Sequence, residues 1–290
     1  MRVAAILLNY NSADDCRKCV STLRTQKDVE LEVVIVDNAS CTREAEAVKR
    51  LCAEEGLTFI DAGENKGYNA GNNVGLRYAA EKGYPLVLVA NPDMEFPDTE
   101  YVSTLADEIM KRPDVVAIGS DVVTPQGVHQ NPKVRGTESW THSFAWIGDL
   151  LKGRNFAGSG QGSVPSWVDN PKESHYCRCL NGCCLMIRTD FLKEIGFFDE
   201  RTFLYGEEPI FGRRVELAGK RMYYYAGVTC VHDHKKSREG SPEFCNRHWR
   251  HSQILYIRHY SGQPFYGRWL AELSSRTYFF LLNLKHRLKR

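Results

Sequence analysis

Short apolar runs alternate with longer amphipathic segments in the first 120 residues, and this alternation constrains the fold more than any other feature. The apolar runs cover residues 2–9, 31–36, 58–61 and 86–90. They are rich in Val, Ile and Leu, as are strands that are buried on both faces. The segments between them have helical periodicity. Strands that alternate with helices at intervals of about 25 to 30 residues predict βαβ units and a parallel sheet.

The apolar run at residues 86–90 leads into the sequence Asn-Pro-Asp-Met-Glu, which ends at Glu95. A proline cannot donate to a ladder hydrogen bond, so the strand should end there. Asp93 and Glu95 then lie at the carboxyl end of a parallel strand, which is the edge of an α/β sheet where ligands bind. Carboxylate oxygens suit Mg²⁺ or Mn²⁺ that carries a diphosphate. The alternative is a solvated Asn-Pro-Asp turn without a ligand.

Other polar residues follow two further predicted strands. Asp37 ends the second strand, where its carboxylate can accept hydrogen bonds from a pyrimidine ring or cap the following helix. In residues 65–75, glycines let the backbone approach a ligand, and asparagines suit ribose or sugar hydroxyls, although an ordinary turn has the same composition. These residues are Asn65, Gly67, Asn69, Gly71, Asn72, Asn73 and Gly75. Their spacing is not G-x-G-x-x-G, which argues against a dinucleotide dehydrogenase.

Two glutamates and two histidines are candidates for chemistry in the second half of the chain. Glu207 and Glu208 open a predicted helix at residues 205–219, and His232 and His234 follow a short predicted strand. The helix macrodipole favours acidic side chains at this end, so the glutamates need have no function. The functional interpretation is a general base that removes a proton from an acceptor hydroxyl. The histidines are either metal or phosphate ligands or ordinary surface residues.

The rest of the chain is less regular. Residues 120–178 lose their periodicity and contain Trp140, Trp146 and Trp167, a composition typical of a functional lid or binding loop. Short strands are predicted at residues 115–118, 180–188, 222–226 and 228–231, and helices at residues 98–111, 242–260 and 267–288.

The net charge of +2 is unevenly distributed. From Arg247 to Arg290 the chain has nine Lys and Arg residues and one acidic residue, a charge of +8, so the preceding part has a charge of −6. A basic tail rich in aromatic residues and Leu indicates an anionic partner surface, and packing on the rest of the chain is the alternative. Ten cysteines without an apparent signal peptide indicate reduced thiols and a cytoplasmic location. At residues 177–184 buried cysteines are favoured over zinc ligands, because two of them are adjacent.

Several short motifs occur in an order that resembles the family 2 glycosyltransferases, especially the rhamnosyltransferase-like branch of bacterial polysaccharide synthesis. These are inverting enzymes of the GT-A fold, and the resemblance covers about residues 3–237. The motifs are Leu8-Asn-Tyr-Asn-Ser12, Val36-Asp-Asn-Ala-Ser40, Asn65–Gly75, Asn91-Pro-Asp93, Gly196-Phe-Phe-Asp199, Phe203-Leu-Tyr-Gly-Glu-Glu208, Arg214, Gly219 and His232.

The resemblance implies a Rossmann-like, mostly parallel central sheet flanked by helices, with a helical C-terminal extension. The glycosyltransferase domain would comprise residues 1–240. Its first half, residues 1–119, would bind the nucleotide sugar, and residues 120–240 would form the acceptor and catalytic half. Residues 241–290 would form the basic, aromatic extension.

The resemblance also implies a role for each matching residue. Glu208, or its neighbour Glu207, would be the catalytic base. Asp93, together with Glu95 and His232, would hold Mg²⁺ or Mn²⁺. Asn91 stands where many relatives have a second acid. The residues that would contact the nucleotide sugar are Asn9, Asn11, Asp37, Asn65, Gly67, Asn72, Asn91, Asp93 and Arg214.

The implied reaction is an inverting transfer of a sugar from a UDP- or dTDP-sugar to a saccharide acceptor, which is expected to be lipid-linked. The C-terminal helices are then expected to contact the inner face of a membrane peripherally or to form a homodimer, and nucleic acid is not an expected partner. A non-catalytic nucleotide-sugar or glycan-binding module is one alternative, and it would need no base. A sugar nucleotidyltransferase is the other, and it would need a glycine-rich basic loop after the first strand.

Overall fold

A computed structural model describes residues 1–133, 168–234 and 241–288 of the chain. Nine strands form one sheet in this part of the chain. The strands are β1 (Arg2–Asn9), β2 (Glu30–Asp37), β3 (Thr58–Asp61), β4 (Leu86–Ala90), β5 (Met94–Glu95), β6 (Val115–Val123), β7 (His175–Cys177), β8 (Cys184–Arg188) and β9 (Arg221–His232). The helices of the described residues are α1 (Ala13–Leu23), α2 (Thr42–Glu55), α3 (Tyr68–Glu81), α4 (Tyr101–Met110), α5 (Thr189–Ile195), α6 (Glu207–Leu217), α7 (Pro242–His259) and α8 (Phe265–Leu288).

The sheet is mostly parallel, because six of its nine strands run in one direction. Its order is β3-β2-β1-β4-β8-β6-β9-β5, and β7 also pairs with β9. The neighbours β3, β2, β1 and β4 are parallel, as are β6 and β9. β8 is antiparallel to β4 and β6, and β5 and β7 are antiparallel to β9. The predicted α/β fold is therefore confirmed.

Strand β1 has helices on both faces, which explains why its sequence is continuously apolar. Alternate residues of a strand point to opposite faces. Val3, Ala5 and Leu7 belong to one buried cluster, together with residues of α1, α2 and α4. Ala4, Ile6 and Leu8 belong to a second buried cluster with residues of α3, α5 and α6. The carboxyl ends of β1, β2 and β4 consequently lie side by side between two layers of helices.

Several predicted element boundaries in the second half were wrong. The two short strands at residues 222–226 and 228–231 are one strand, β9, which bulges where its pairing with β6 shifts. A bulge inserts unpaired residues without ending the strand, and Gly227 lies between the two predicted strands. β6 continues to Val123 beyond the predicted end at Ile118, and β8 begins only at Cys184.

Two helices also differ from the prediction. α4 begins at Tyr101 instead of Asp98, because the Asp98 carboxylate accepts the N–H of Glu100 in a tight turn before the helix. The short helix α5 was not predicted. Trp140, Trp146 and Trp167, which were assigned to a lid or binding loop, lie outside the described residues.

The ten cysteines are free thiols. Cys183 and Cys184 are buried in the core, and within the described residues the one group of side chains able to hold a metal contains no cysteine. The structure thus assigns Cys183 and Cys184 the role of small buried side chains. No helix among the described residues is long and apolar enough to cross a membrane. The cytoplasmic location and the division into two halves and an extension stay predictions.

Candidate active site

Asn9 and Asp37 meet at the carboxyl ends of β1 and β2. Asn9 is fully buried and Asp37 is 2% exposed. The Asn9 side-chain amide donates to Asp37 Oδ1 at 2.6 Å and to Ser40 Oγ at 3.0 Å. The second carboxylate oxygen of Asp37 accepts the Ser40 N–H at 3.0 Å. A carboxylate has about four acceptor positions, so Asp37 is rigidly held and keeps acceptor capacity for a ligand.

Asn11 organises the loop beside this pair. Its backbone is in the left-handed region, with φ of 54°, which asparagine tolerates better than most residues. Its N–H donates to Ser40 Oγ at 2.9 Å, and its side-chain oxygen accepts the Cys41 N–H at 2.8 Å. Asn11 therefore joins the loop after β1 to the start of α2.

The glycines of α3 allow close packing within the protein, which differs from the prediction that they approach a ligand. Gly67 has φ of 101°, and a Cβ atom there would collide with the backbone of Phe203. The next residue, Tyr68, donates its N–H to the Phe203 carbonyl at 2.8 Å. A Cβ atom at Gly75 would lie 2.5 Å from the Ile6 side chain on β1. These glycines bring α3 against the sheet and against the loop that precedes α6.

The asparagines of α3 mostly anchor that same loop. Asn69 donates to the carbonyl of Asp199 and to Thr202 Oγ1, both at 2.8 Å. Asn73 donates to the Phe198 carbonyl at 2.9 Å and accepts the Phe198 N–H at 3.0 Å. Asn73 uses both of its side-chain polar atoms within the protein, whereas Asn69 uses its amide only, and its buried Oδ1 has no partner within the described residues. The interpretation of these two residues as sugar ligands stays a prediction.

Asn65 and Asn72 remain close to the predicted donor site. The Asn65 side-chain oxygen accepts the Gly67 N–H at 2.9 Å and the Asn38 amide at 3.1 Å. Asn72 is fully buried, and its amide donates to the Tyr68 carbonyl at 3.0 Å. Its side-chain oxygen is buried and has no partner within the described residues. A buried acceptor without a donor is costly, so Asn72 Oδ1 is an available contact for a ligand hydroxyl.

Asp93, His232 and His234 form a cluster at the end of β4. One side-chain oxygen or nitrogen from each residue lies within 4.8 Å of the others. Asp93 Oδ1 is 3.4 Å from His232 Nε2, and Asp93 Oδ2 is 3.6 Å from His234 Nδ1. Burial opposes ionisation of Asp93, but the two imidazoles outweigh it and hold the pKa of Asp93 well below its usual range. The carboxylate is thus in its metal-binding, charged form.

These donor atoms fit a divalent cation. Asp93 Oδ1 and His232 Nε2 are both buried and have no hydrogen-bond partner in the described part of the chain. The other ring nitrogen of His232, Nδ1, lies 2.7 Å from Gln130 Oε1. An amide oxygen can only accept, so Nδ1 donates to Gln130, and Nε2 is the ring nitrogen that is left to face Asp93 and a cation. Two imidazoles and one carboxylate suit Mn²⁺ better than Mg²⁺, which prefers oxygen ligands.

Glu95 and Asn91 do not belong to the cluster. Glu95 lies in β5, where it pairs with Val231, and it is not part of the group that could hold the metal. The side-chain oxygen of Asn91 accepts the Tyr68 hydroxyl at 2.9 Å. The sequence-based assignment of Glu95 as a metal ligand is therefore not supported by this geometry, because its carboxylate does not converge with the other donors.

Glu207 and Glu208 lie at the start of α6, where a lysine compensates their charge. Lys133 Nζ is 2.5 Å from Glu208 Oε1, and the Gly182 N–H points to the same oxygen at 3.5 Å. Burial opposes the charge of Glu208, but the charge and hydrogen bond of Lys133 outweigh it and lower the pKa of Glu208. Glu208 is therefore ionised at neutral pH.

Glu207 has the opposite protonation behaviour. Burial, followed by the charge of Glu208, raises the pKa of Glu207 to about 8. Its Oε2 atom is buried and has no hydrogen-bond partner within the described residues. Both glutamates line a pocket together with Tyr68 and Phe211. The two adjacent acids thus differ in charge at neutral pH because only one of them contacts Lys133.

Tyr68 connects Glu207 and Glu208 to the Asp93 cluster. Its hydroxyl lies 2.9 Å from Asn91 Oδ1, two residues before Asp93, and 2.9 Å from the carbonyl of Gly182. The Gly182 N–H in turn points to Glu208. One buried tyrosine therefore holds both groups at the same edge of the sheet.

Arg214 is not directed at this site. Its guanidinium donates to the carbonyls of Ile195 and Phe197 at the end of α5. These are carbonyls that a helix leaves without partners at its C-terminus. The sequence left open whether Arg214 anchors its helix or approaches phosphate, and the structure assigns it the anchoring role.

Two residues of the site were not predicted from the sequence. Gln130 and Lys133 lie in the segment after β6 that lacks regular periodicity. Gln130 contacts a residue 102 positions away, and Lys133 contacts one 75 positions away. No local pattern marks either residue. A uniformly acidic pair at Glu207 and Glu208 was the one available indication that a cation should lie nearby.

The fold and sequence are similar to those of known glycosyltransferases. The chain is 28% identical over 234 residues to the low-salt glycan biosynthesis hexosyltransferase Agl10 of Haloferax volcanii, covering 80% of this chain and 67% of that protein. It is 24% identical over 275 residues to the N-acetylglucosaminyl-diphospho-decaprenol L-rhamnosyltransferase of Mycobacterium tuberculosis, covering 88% and 84%. The mannosyltransferase PcManGT of Pyrobaculum calidifontis, solved with GDP-Man and Mn²⁺, superposes with a TM-score of 0.61 at 19% identity, covering 97% of this chain and 70% of that one.

The structural similarity identifies the fold as GT-A. The resemblance noted in the sequence is confirmed by a match to a family profile. Residues 5–165, more than half of the 290 residues, match the family described as Glycosyl transferase family 2, and the chain therefore belongs to this family of glycosyltransferases.

Proposed function

We propose that this glycosyltransferase is metal-dependent and inverting, and that it moves a sugar from a UDP- or dTDP-sugar to a saccharide acceptor in surface polysaccharide synthesis. The observation that carries this proposal is the arrangement of two groups at one sheet edge. The Asp93 cluster can hold a diphosphate-bound cation, and Glu208 can accept a proton, with Tyr68 between them. A donor that bridges these groups would place its anomeric carbon near the base.

Glu208 is the better candidate for the base. A base must be ionised before the reaction, and Lys133 keeps Glu208 ionised whereas Glu207 is protonated at neutral pH. In the proposed reaction the acceptor hydroxyl transfers its proton to Glu208 while its oxygen bonds to the anomeric carbon. The bond from that carbon to the diphosphate breaks at the same time, and the nucleoside diphosphate leaves. One displacement inverts the anomeric centre.

The Asp93 cluster would hold the leaving group. When bound, a divalent cation neutralises the charge that develops on the departing diphosphate. His232 and Asp93 would contribute their unpartnered buried atoms, and Gln130 would keep the His232 lone pair directed inwards. The cation is proposed to be Mn²⁺, or Mg²⁺ at lower affinity, because two of the donors are nitrogens.

Further observations support the proposed classes of donor and acceptor. Asp37 is buried beside Asn9 and retains acceptor capacity for the N–H group of a pyrimidine base. The mycobacterial relative is named for transfer to a lipid-linked acceptor, which supports a lipid-linked saccharide as the acceptor of this chain. The archaeal neighbour was solved with GDP-Man, so a purine nucleotide is the comparison that a binding test must include.

A thermal-shift and turnover experiment tests the proposal. UDP, dTDP, GDP and CMP are added with and without Mn²⁺, and a ligand at a hundred times its dissociation constant should stabilise the protein by about 2.7 kcal/mol. UDP or dTDP should stabilise in a Mn²⁺-dependent manner. The Glu208→Gln variant should bind the same nucleotide and lose turnover of its sugar derivative, and Glu207→Gln should retain turnover.

Three results would contradict the proposal. Stabilisation by GDP alone would exclude a pyrimidine nucleotide sugar as the donor. Equal stabilisation with and without Mn²⁺ would exclude a metal-dependent donor site. Nucleotide-sugar binding without any turnover, in the presence of extracts that contain lipid-linked saccharides, would favour the non-catalytic binding module.

A further inference from the structure

Helix α8 exposes its large apolar side chains. Phe265 is 78% exposed, Trp269 59% and Phe280 65%. Leu273 and Leu284 are also exposed, and the spacing of these five residues places them along one side of the helix. We call them the outer stripe. Of the thirteen large apolar side chains that are exposed in the described residues, seven belong to α8.

The opposite side of α8 consists mainly of small side chains, with Phe279 as the large apolar exception. Ala271, Ser274, Ser275 and Phe279 are buried against the rest of the protein. An ordinary surface helix buries its large apolar side chains and exposes its polar ones. α8 does the reverse for most of its length, so the outer stripe is suited to a partner outside the chain.

The outer stripe is rigidly connected to the protein. Arg258 on α7 forms two hydrogen bonds of 2.7 Å with Glu272 on α8. Further along the pair, Gln253 accepts the Ser275 hydroxyl at 2.7 Å. The stripe is therefore a fixed surface about 29 Å long, since Leu284 follows Phe265 by 19 residues along α8.

Helix α7 in turn contacts the loop that precedes the catalytic glutamates. The Ser252 hydroxyl donates to the Leu204 carbonyl at 3.3 Å. A Cβ atom at Gly206 would lie 2.9 Å from the Ser252 side chain. The orientation of α8 thus determines the orientation of Glu207 and the active site relative to any surface that the outer stripe binds.

Charge distinguishes between a second copy of the chain and a lipid surface as the partner of the outer stripe. The segment from Arg247 to Arg290 has a charge of +8 and the rest of the chain −6. Arg276 lies within the outer stripe, where its guanidinium is 3.8 Å from the mostly buried Glu272 carboxylate, and its side chain is 55% exposed. Two copies packed stripe to stripe would bring like charges together and bury Arg276 against its counterpart. At a lipid surface the arginine can extend to the phosphates while its aromatic neighbours enter the interface.

We propose that the outer stripe of α8 binds the surface of an anionic lipid bilayer, with the helix axis in the plane of the interface. The apolar side chains enter the boundary between headgroups and acyl chains, and the basic residues contact lipid phosphates. The negative charge of the catalytic part keeps it away from the same surface. Binding of the outer stripe to a bilayer does not depend on the proposed function. The presentation of a lipid-linked acceptor to Glu208 does rest on that proposed function.

Vesicle flotation of the full chain tests this proposal without donor or acceptor. The chain should bind vesicles of phosphatidylcholine mixed with phosphatidylglycerol and bind phosphatidylcholine alone much more weakly. The Trp269→Ala/Phe280→Ala variant should lose about tenfold or more in partitioning, because each ring buries a large apolar area. Arg276→Gln should weaken binding to the anionic vesicles only. The matched control is Leu217→Ser on α6, which removes an equally exposed leucine elsewhere and should bind like wild type.

Thermal unfolding shows whether the variants remain folded, and the wild-type midpoint is expected since all the substituted side chains are exposed. Equal binding to neutral and anionic vesicles would overturn the proposal, as would no binding to either. A concentration-dependent dimer in light scattering that disappears in the Trp269→Ala/Phe280→Ala variant, without vesicle binding, would assign the outer stripe to a second copy instead.

Discussion

Replacing Glu207 with Gln should stabilise the protein at alkaline pH. The pKa of Glu207 is raised from 4.5 to about 8 by burial and by the charge of Glu208. Between these two values the folded protein keeps a proton that the unfolded chain has released. Stability therefore falls as the pH rises through this interval, and the loss is complete above about pH 8. Glutamine has nearly the shape of protonated Glu207 and does not titrate, so the variant avoids this loss.

The magnitude follows from the interval between the two pKa values. Each pKa unit corresponds to about 1.36 kcal/mol, so an interval from 4.5 to about 8 gives at most roughly 5 kcal/mol. The Glu207→Gln variant should match wild type near pH 5. Its advantage should grow with pH and level off above about pH 8.

The adjacent Glu208→Gln variant provides a control of opposite sign. The pKa of Glu208 is lowered because the charge of Lys133 outweighs the effect of burial. Its stabilising contribution is present above the ordinary pKa of 4.5 and is lost as the pH falls further. The variant also leaves the Lys133 ammonium, whose side chain is 29% exposed, without its partner. Removing one member of a buried pair costs about 3 to 5 kcal/mol, and the partial exposure of Lys133 places the expected loss near the lower end of this range at neutral pH.

Denaturant unfolding of the three proteins between about pH 5 and pH 9 measures these differences, with the slope m as a check that the unfolded state is unchanged. The reasoning is refuted if the stability difference between Glu207→Gln and wild type is the same at every pH. A destabilised Glu207→Gln variant at pH 9 would mean that the carboxylate has a partner that outweighs its burial.

Three further predictions concern the metal site and the anchor of α6. Asp93→Asn should abolish Mn²⁺ binding measured by calorimetric titration, whereas Glu95→Gln should retain it, since Glu95 lies outside the cluster. Loss of Mn²⁺ binding in both variants would show that Glu95 is a metal ligand after all. Gln130→Leu should lower the Mn²⁺ affinity about 10- to 100-fold by releasing His232 Nδ1. An unchanged affinity would show that Gln130 does not orient His232 for metal binding. Arg214→Met should destabilise the protein by about 2 to 4 kcal/mol in denaturant unfolding without changing nucleotide affinity, and weakened nucleotide binding in a folded variant would instead indicate a phosphate contact.

The first half of the chain was predictable because its signals are local. Apolar runs that are buried on both faces and amphipathic segments between them specify β1 to β4 and α1 to α3 without reference to distant residues. The polar residues at the strand ends follow directly, since the carboxyl ends of parallel strands share one edge. Asn9, Asp37 and Asp93 lie at that edge as expected.

The second half was less predictable because its strands depend on distant pairing. β8 enters the sheet antiparallel between β4 and β6, an arrangement that no local periodicity encodes. β9 contains a bulge that interrupts its apparent pattern but not its pairing. The asparagines of α3 show the same limit, because Asn69 and Asn73 looked like ligands of a sugar and contact a loop about 130 residues away.

The sequence by itself determined the order of strands and helices in the first half of the chain, the sheet edge on which the site lies, and the family to which the chain belongs. Only the tertiary structure decided which polar groups pair there. It brought Lys133 to Glu208, so that two adjacent glutamates carry different charges, and it directed His232 towards Asp93 through Gln130. The physical reason is that local periodicity reflects burial of neighbouring residues, whereas the protonation and orientation of a side chain depend on whichever loops meet around it.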